Sequence, residues 1–160
     1  MIESLARELL SSLFAISIDK WKGDARFRAL RLLAHEQVSR ELRWNIECLS
    51  SSKSKDRLVY LKALRTDVFT GLSDIGAPID DIFTENIEHL ALEGYRPSSR
   101  VLKSLAKDNS LSRLLDRTYN RIGILRLRVS EDLPYGDISY LRGLIKYSLA
   151  GVDCGRRALR

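Results

Sequence analysis

The amino-acid sequence predicts an all-α protein, an antiparallel helical bundle of four main helices with additional short helices. The first observation is compositional: Leu, Arg and Ser are the commonest of the 160 residues and only three prolines occur, which favours helix over sheet. The second is that apolar residues recur every three or four positions through most of the chain. The third is that the one β-favouring cluster, at residues 122–129, fits helical spacing better than strand alternation.

The longest predicted helix covers residues 24–50. It contains no glycine or proline after Gly23, and Asp24 is suited to cap its N-terminus. Its core-facing stripe consists of Phe27, Leu30, Ala34, Val38, Leu42, Asn45 and Leu49. A buried amide needs hydrogen-bond partners, so Asn45 is expected to find them, and such a residue often fixes helix register or oligomeric state.

The other predicted helices are separated by turn-forming residues. Main helices are expected over residues 55–73, 99–130 and 137–150, and short helices over residues 2–18 and 80–92. Gly71, Gly76 and Pro78 break the pattern between two of them. The polar stretch 108–110 either interrupts or bends the helix predicted at 99–130.

The length predicts one domain. Residues 1–150 are expected to form a single helical-bundle domain. Residues 151–160 contain two glycines and three arginines, and this composition predicts a flexible basic C-terminal tail.

Cysteine usage and hydropathy favour a cytoplasmic protein. Cys48 and Cys154 are too few for a disulfide framework and too far apart for a metal knuckle. The chain has no run of 18 apolar residues, so no membrane span is expected. The apolar stripe of residues 2–18 is typical of a packed helix or of a membrane-surface helix. Arg7 is its only basic residue, which favours packing on the bundle over a membrane partner.

Charge is segregated along the chain, on top of a formal net charge of +6. Residues 66–95 contain no Lys or Arg, whereas residues 96–130 contain nine. The predicted binding surface is an arginine ridge on one helix flank, made of Arg113, Arg117, Arg121 and Arg128.

Three interpretations of this segregation are open. In the first, the acidic segment folds back on the basic one and neutralises it. In the second, the ridge contacts the phosphate backbone of a nucleic acid. In the third, the ridge is a protein–protein surface, in which the acidic patch of one copy contacts the basic patch of another. Tyr95 and Tyr119 are the only nearby aromatics, so a nucleic-acid contact would reach phosphates and not bases.

No metal site and no cofactor are predicted. Glu85 and His89 are four residues apart, a helical spacing that can hold a metal ion, but a third ligand is not evident. Paired His or Cys motifs, a phosphate-cradling glycine loop and a nucleophile elbow are absent from the sequence.

One pair of residues suggests catalysis. Arg28 and His35 stand with six residues between them, which resembles the spacing in HEPN-type ribonucleases, a family of all-helical proteins. The resemblance implies that His35 acts as general acid or base on a ribose hydroxyl and that Arg28 stabilises the phosphorane charge. Ala29 stands where that family usually has a polar residue. The alternative is an ion network in which Arg28, Arg31 and His35 face carboxylates.

The sequence therefore favours a non-enzymatic helical interaction or assembly module that acts through charged surfaces, with a protein partner or self-association. The alternative is a nucleic-acid-binding helical protein or a HEPN-like ribonuclease that uses Arg28 and His35. The third reading is a membrane-peripheral module held by residues 2–18.

Overall fold

The computed structural model describes residues 25–51, 57–88, 90, 92, 96–105, 107, 109–128 and 135–160. Within these ranges the chain is helical, without strands, which confirms the all-α prediction. The helices are α1 (Ala25–Ser51), α2 (Arg57–Lys62), α3 (Asp67–Asp74), α4 (Ile79–Ile82), α5 (Ser99–Leu105), α6 (Leu111–Leu127) and α7 (Tyr135–Leu159). The short helix predicted at residues 2–18 lies outside the described ranges.

The helix predicted at 55–73 is wrong in one respect, because it is broken into α2 and α3. Side chains of α1 bind the connector between them. Trp44 Nε1 donates to the carbonyl of Ala63 (2.8 Å), and the Asn45 amide both donates to and accepts from the backbone of Arg65 (2.8 and 2.7 Å). Asn45 is fully buried and has the partners that a buried amide needs. The connector backbone is bonded to α1, so it is not available to continue the helix.

The helix predicted at 80–92 is also largely wrong, since of the residues described in this stretch only Ile79–Ile82 are helical. The following segment bonds to the start of α6 instead. Leu111 N–H donates to the carbonyl of Glu85 (2.9 Å), and Ile87 N–H donates to the carbonyl of Asn109 (3.3 Å). These bonds interrupt the helix predicted at 99–130, which becomes α5 and α6. Ser110 then caps α6 by accepting from Arg113 N–H (3.5 Å).

The flexible tail predicted at 151–160 is wrong, because α7 continues to Leu159. The two glycines of the predicted tail are buried at close contacts. A Cβ on Gly151 would lie 2.7 Å from Leu111 Cδ1, and one on Gly155 would lie 2.5 Å from His35 Nε2. Val152 between them is fully buried. These glycines therefore serve close packing of α7 against its neighbours.

Helix α7 lies between α1 and α6 and runs antiparallel to both. Along α1, Arg28 meets Leu159 and Ser39 meets Asp153. Along α6, Thr118 contacts Ser148 (2.9 Å between hydroxyl oxygens). Leu111 lies beside Gly151, and Arg121 lies beside Tyr140. The predicted four-helix antiparallel arrangement is not confirmed, because two of its four helices are interrupted.

None of the helices in the described ranges combines the length and the apolar character that crossing a bilayer requires.

Candidate functional site

Arg28 and His35 both lie on α1, but the structure does not bring them to a common site. Arg28 is exposed and its Nε–H donates to the carbonyl of Leu159 (2.9 Å), at the end of α7. His35 is 0% exposed. Its Nδ1 lies 2.8 Å from the carbonyl of Arg31, its Nε2 lies 3.2 Å from Glu85 Oε2, and its ring centre lies 4.7 Å from that of Phe83. In this arrangement His35 has no exposed atom from which to reach a substrate.

The ion-network alternative describes Arg31 and His35 better. Both bind Glu85, which the segment after α4 supplies, and Arg31 Nη2 lies 3.0 Å from Glu85 Oε1. Arg31 also donates to the carbonyl of Ile82 (2.9 Å) and to Thr84 Oγ1 (2.8 Å). We call these three residues, Arg31, His35 and Glu85, the Glu85 network.

The Glu85 network is charged and mostly enclosed. Each ring nitrogen of His35 faces an oxygen, one from the carbonyl of Arg31 and one from the carboxylate of Glu85. Burial acts to raise the pKa of Glu85, but the hydrogen bond from His35 and the charges of His35 and Arg31 outweigh it. The net pKa lies below the ordinary value. These contacts tie the segment after α4 to α1.

A second set of polar contacts joins α1 to α7. Asp153 accepts from Ser39 Oγ (2.9 Å) and from Arg43 Nη2 (2.5 Å), and Arg156 lies 3.4 Å from it. Nearer the end of α7, Arg160 pairs with Glu36 (3.2 Å). Of the basic residues of the expected tail, Arg160 thus contacts α1, whereas Arg156 pairs with Asp153 of its own helix.

The described residues give no support to a metal site formed by Glu85 and His89. Glu85 lies outside any helix and is bound to Arg31 and His35, while residue 89 is not described. Among the described residues, no group of three or more His, Cys, Asp or Glu side chains is placed to hold a metal ion.

A third buried site is a carboxylate on α1 at the start of α3. Glu41 is 5% exposed, and its Oε2 accepts from Val68 N–H (2.9 Å). Its other oxygen and the Tyr119 hydroxyl lie close to each other, yet within the described part of the chain neither completes a hydrogen bond. Burial raises the pKa of Glu41 and outweighs the hydrogen bonds that it accepts. Burial also raises the pKa of Tyr119, well above its usual range.

The arginine ridge lies along α6, as its spacing predicts, but its members have different surroundings. Arg113 is exposed, and its side chain has no ion pair with any described residue. Arg117 Nη1 donates to Ser104 Oγ on α5 (2.9 Å). Arg121 is exposed and lies 5.7 Å from the ring centre of Tyr140 on α7. Arg128 is exposed and follows the last residue of α6.

The acidic segment does pack beside α6, but Arg113 and Arg121 receive none of its carboxylates within the described ranges. One of its half-buried carboxylates, Glu85, pairs with α1 instead. The structure therefore does not support neutralisation of Arg113 and Arg121 by the acidic segment.

A cleft of about 440 Å³ opens between α3–α4 and the first two turns of α6. Its lining comprises two arginines, two aspartates, two serines and two apolar residues: Phe69, Ser73, Ile79, Asp80, Ser112, Arg113, Asp116 and Arg117. We call it the α4–α6 cleft. Its volume lies within the range of small-molecule and side-chain pockets. Its charged lining carries both signs in equal number.

The exposed side of α6 also carries apolar side chains. Ile124 is 45% exposed and Leu127 is 85% exposed. At about 100° per residue, Ile124 lies about 20° around the helix from Arg113 and Leu127 about 40° in the other direction. We call this side the α6 outer face; it consists of Arg113, Asp116, Arg117, Asn120, Arg121, Ile124 and Leu127.

Sequence reasoning located the ridge but missed two parts of this surface. The first is Asp80, which only the packing of α4 against α6 brings into the same cleft as Arg113. The second is the apolar pair Ile124 and Leu127. Their helical phase relative to Arg113 was a sufficient signal, because positions 11 and 14 residues after an exposed residue return to the same side of a helix.

Comparison with protein-family models, with curated proteins and with solved structures gave no match for this chain.

Proposed function

We propose that this chain is a non-enzymatic helical interaction module that binds a protein partner through the α6 outer face. The observation that carries the proposal is the composition of that face. Exposed Arg113 and Arg121 share it with exposed Ile124 and Leu127. Arginine with apolar side chains is the combination enriched in protein–protein interfaces, and an apolar side chain left 85% exposed is a candidate for burial by a partner.

The contacts of the two catalytic candidates, Arg28 and His35, support the same proposal. His35 has both ring nitrogens bonded and no exposed surface, and Arg28 binds the end of α7. Their interactions hold helices together, whereas exposed Arg113 and Arg121 on α6 have no carboxylate partner among the described residues.

The second candidate function is contact with a nucleic-acid backbone. The four-residue spacing of Arg113, Arg117 and Arg121 favours it, as does the net charge of +6. Asp116 and Asp80 oppose it, since they lie beside Arg113 in the α4–α6 cleft and would repel a phosphate there. The aspartates and the exposed apolar pair make a protein the better-matched partner.

Site-specific photo-crosslinking tests the proposal. Asn120 is exposed at the middle of the α6 outer face and is replaced by p-benzoylphenylalanine. The matched control carries the same group at Glu47, an exposed position on α1. After irradiation in the native cells, we expect a covalent protein adduct from position 120 and none from position 47.

Two results would contradict the proposal. An adduct with nucleic acid from position 120 would favour the second candidate function. Equal adducts from both positions, or none from either, would show that the α6 outer face is not a preferred contact surface.

A further inference from the structure

The charges of the α4–α6 cleft are arranged in a way that identifies a partner. Asp80 on α4 and Arg113 on α6 line the same cleft, and both are exposed. Within the described ranges no ion pair joins them. Each copy of the chain thus presents, side by side, one carboxylate and one guanidinium that its own fold leaves available.

We infer that the partner at this cleft is a second copy of the chain. The inference rests on the proposed function, because it names the protein that the α6 outer face binds. In a two-fold symmetric dimer the same patch meets itself, so that residue i of one copy contacts residue j of the other and the reverse. A patch that carries both signs is complementary to itself under this symmetry. Arg113 of each copy then pairs with Asp80 of the other.

Partners of a single charge fit this cleft poorly. An acidic peptide or a phosphate would meet Asp80 and Asp116, and a basic peptide would meet Arg113 and Arg117. Like charges brought together at an interface are strongly unfavourable and exclude wrong partners. A second copy places an opposite charge opposite each of Arg113 and Asp80.

The charged pairs supply register and partner choice, while apolar area supplies affinity. Ile124 and Leu127 continue the α6 outer face away from the cleft and are the apolar surface available for this role. Exposed ion pairs are screened by salt, so the association is expected to weaken as ionic strength rises.

Charge reversal tests the pairing, with mass in solution measured by sedimentation velocity over a concentration series. The wild-type chain is expected to show a monomer–dimer equilibrium. Arg113→Asp and Asp80→Arg, each alone, place like charges at both symmetric contacts and are expected to weaken association about tenfold or more. An equimolar mixture of the two variants restores both contacts and is expected to form heterodimers. The double variant is expected to form homodimers again.

The controls are reversals at exposed positions elsewhere: Arg40→Asp on α1 and Glu88→Arg in the segment after α4. Neither is expected to change the association constant. Helical content by circular dichroism is compared for every variant. Asp80→Asn serves as a milder variant, since it removes the charge without placing a cation at the start of α4.

Three results would overturn the inference. The first is a wild-type chain that stays monomeric at every concentration. The second is a dimer that neither single reversal weakens. The third is a dimer that both reversals weaken and that the mixture of the two variants fails to restore. A monomeric chain that still forms an adduct with a different protein from position 120 would refute self-pairing and leave the proposed function standing. A monomeric chain with no adduct would refute both.

Discussion

The Glu85 network and the α6 outer face use the same residue types for different purposes. In the network, Arg31 and His35 converge on one carboxylate and every charged group there has a bonded partner. On the α6 outer face, Arg113 and Arg121 are exposed and have no carboxylate partner among the described residues, and Arg121 lies 5.7 Å from the ring centre of Tyr140. The first region joins the segment after α4 to α1, and the second carries two arginines that no described carboxylate neutralises.

This difference shows that charge type alone does not identify a functional residue. A charged side chain that is enclosed and fully bonded stabilises the fold, because removing one partner leaves the other buried and unpaired. An exposed side chain contributes little to stability and is free to bind a partner. Mutations in the two regions should therefore separate cleanly into effects on stability and effects on association.

The largest expected effect is the loss of Glu85. Glu85→Ala leaves His35, which is fully buried, and Arg31 without their shared carboxylate. We expect the free energy of unfolding to fall by about 3 kcal/mol, the low end for breaking a buried pair, because the Glu85 side chain retains 15% exposure. Urea unfolding followed by circular dichroism measures it. Glu88→Ala, an exposed glutamate three residues along, is the matched control and should change little.

The lowered pKa of Glu85 predicts that part of the free energy of unfolding is lost in acid. Its folded-state pKa lies below the ordinary value of 4.5, so its contribution is present above pH 4.5 and is lost as pH falls through the folded-state pKa. Unfolding measured between pH 3 and pH 7 should show this loss in the wild-type chain and a smaller loss in Glu85→Gln. An identical acid profile in the two proteins would show that the network does not hold Glu85 ionised.

The next largest effect is expected from the substitution of Gly155 on α7. In Gly155→Ala the added Cβ would lie 2.5 Å from His35 Nε2, a ring held by bonds to Arg31 and Glu85. We expect a loss of roughly 2 kcal/mol in the free energy of unfolding from this overpacking. Gly123→Ala on α6 is the matched control, because nothing lies within 4 Å of its added Cβ. It should gain about 0.5–1 kcal/mol from helix propensity. Equal effects of the two substitutions would contradict the close contact at position 155.

A smaller effect, of opposite sign, is expected at Glu41. Burial raises its folded-state pKa, so its contribution to stability is present below pH 4.5 and decreases as pH rises through the raised pKa. Glu41→Gln keeps an acceptor for Val68 N–H and adds a donor beside the Tyr119 hydroxyl. We expect a gain of about 1 kcal/mol at pH 7 and none at pH 3. A loss of stability at pH 7 would show that the ionised carboxylate is the better partner for the start of α3.

Local patterns predicted the parts of the fold that depend on spacing along the chain. The stripe of α1 is buried as expected from Leu30 to Leu49, because helical periodicity alone determines which side faces the core. The interruptions of the other helices depend on distant partners. Asn45 and Trp44 hold the connector at 63–66, and no local signal in that connector encodes their contact.

The same limit applies to the candidate site. The ridge was predicted from the spacing of Arg113, Arg117 and Arg121, which is local. Glu85 binds a histidine 50 positions earlier, and Asp80 lines the same cleft as Arg113 only because α4 packs beside α6. The last two glycines of α7 illustrate the ambiguity of composition. Gly151 and Gly155 fit a flexible tail or a close helix contact, and tertiary packing decides between them.

The most direct test of this division is the stability of the Arg113→Ala/Arg121→Ala double variant. Its urea unfolding is compared with that of the wild-type chain at a concentration where both are monomeric, so that association makes no contribution. If the fold does not use these arginines, the free energies of unfolding should agree within about 0.5 kcal/mol. A loss of more than about 1 kcal/mol would contradict the account, because it would show that the α6 arginines stabilise the fold as the Glu85 network does.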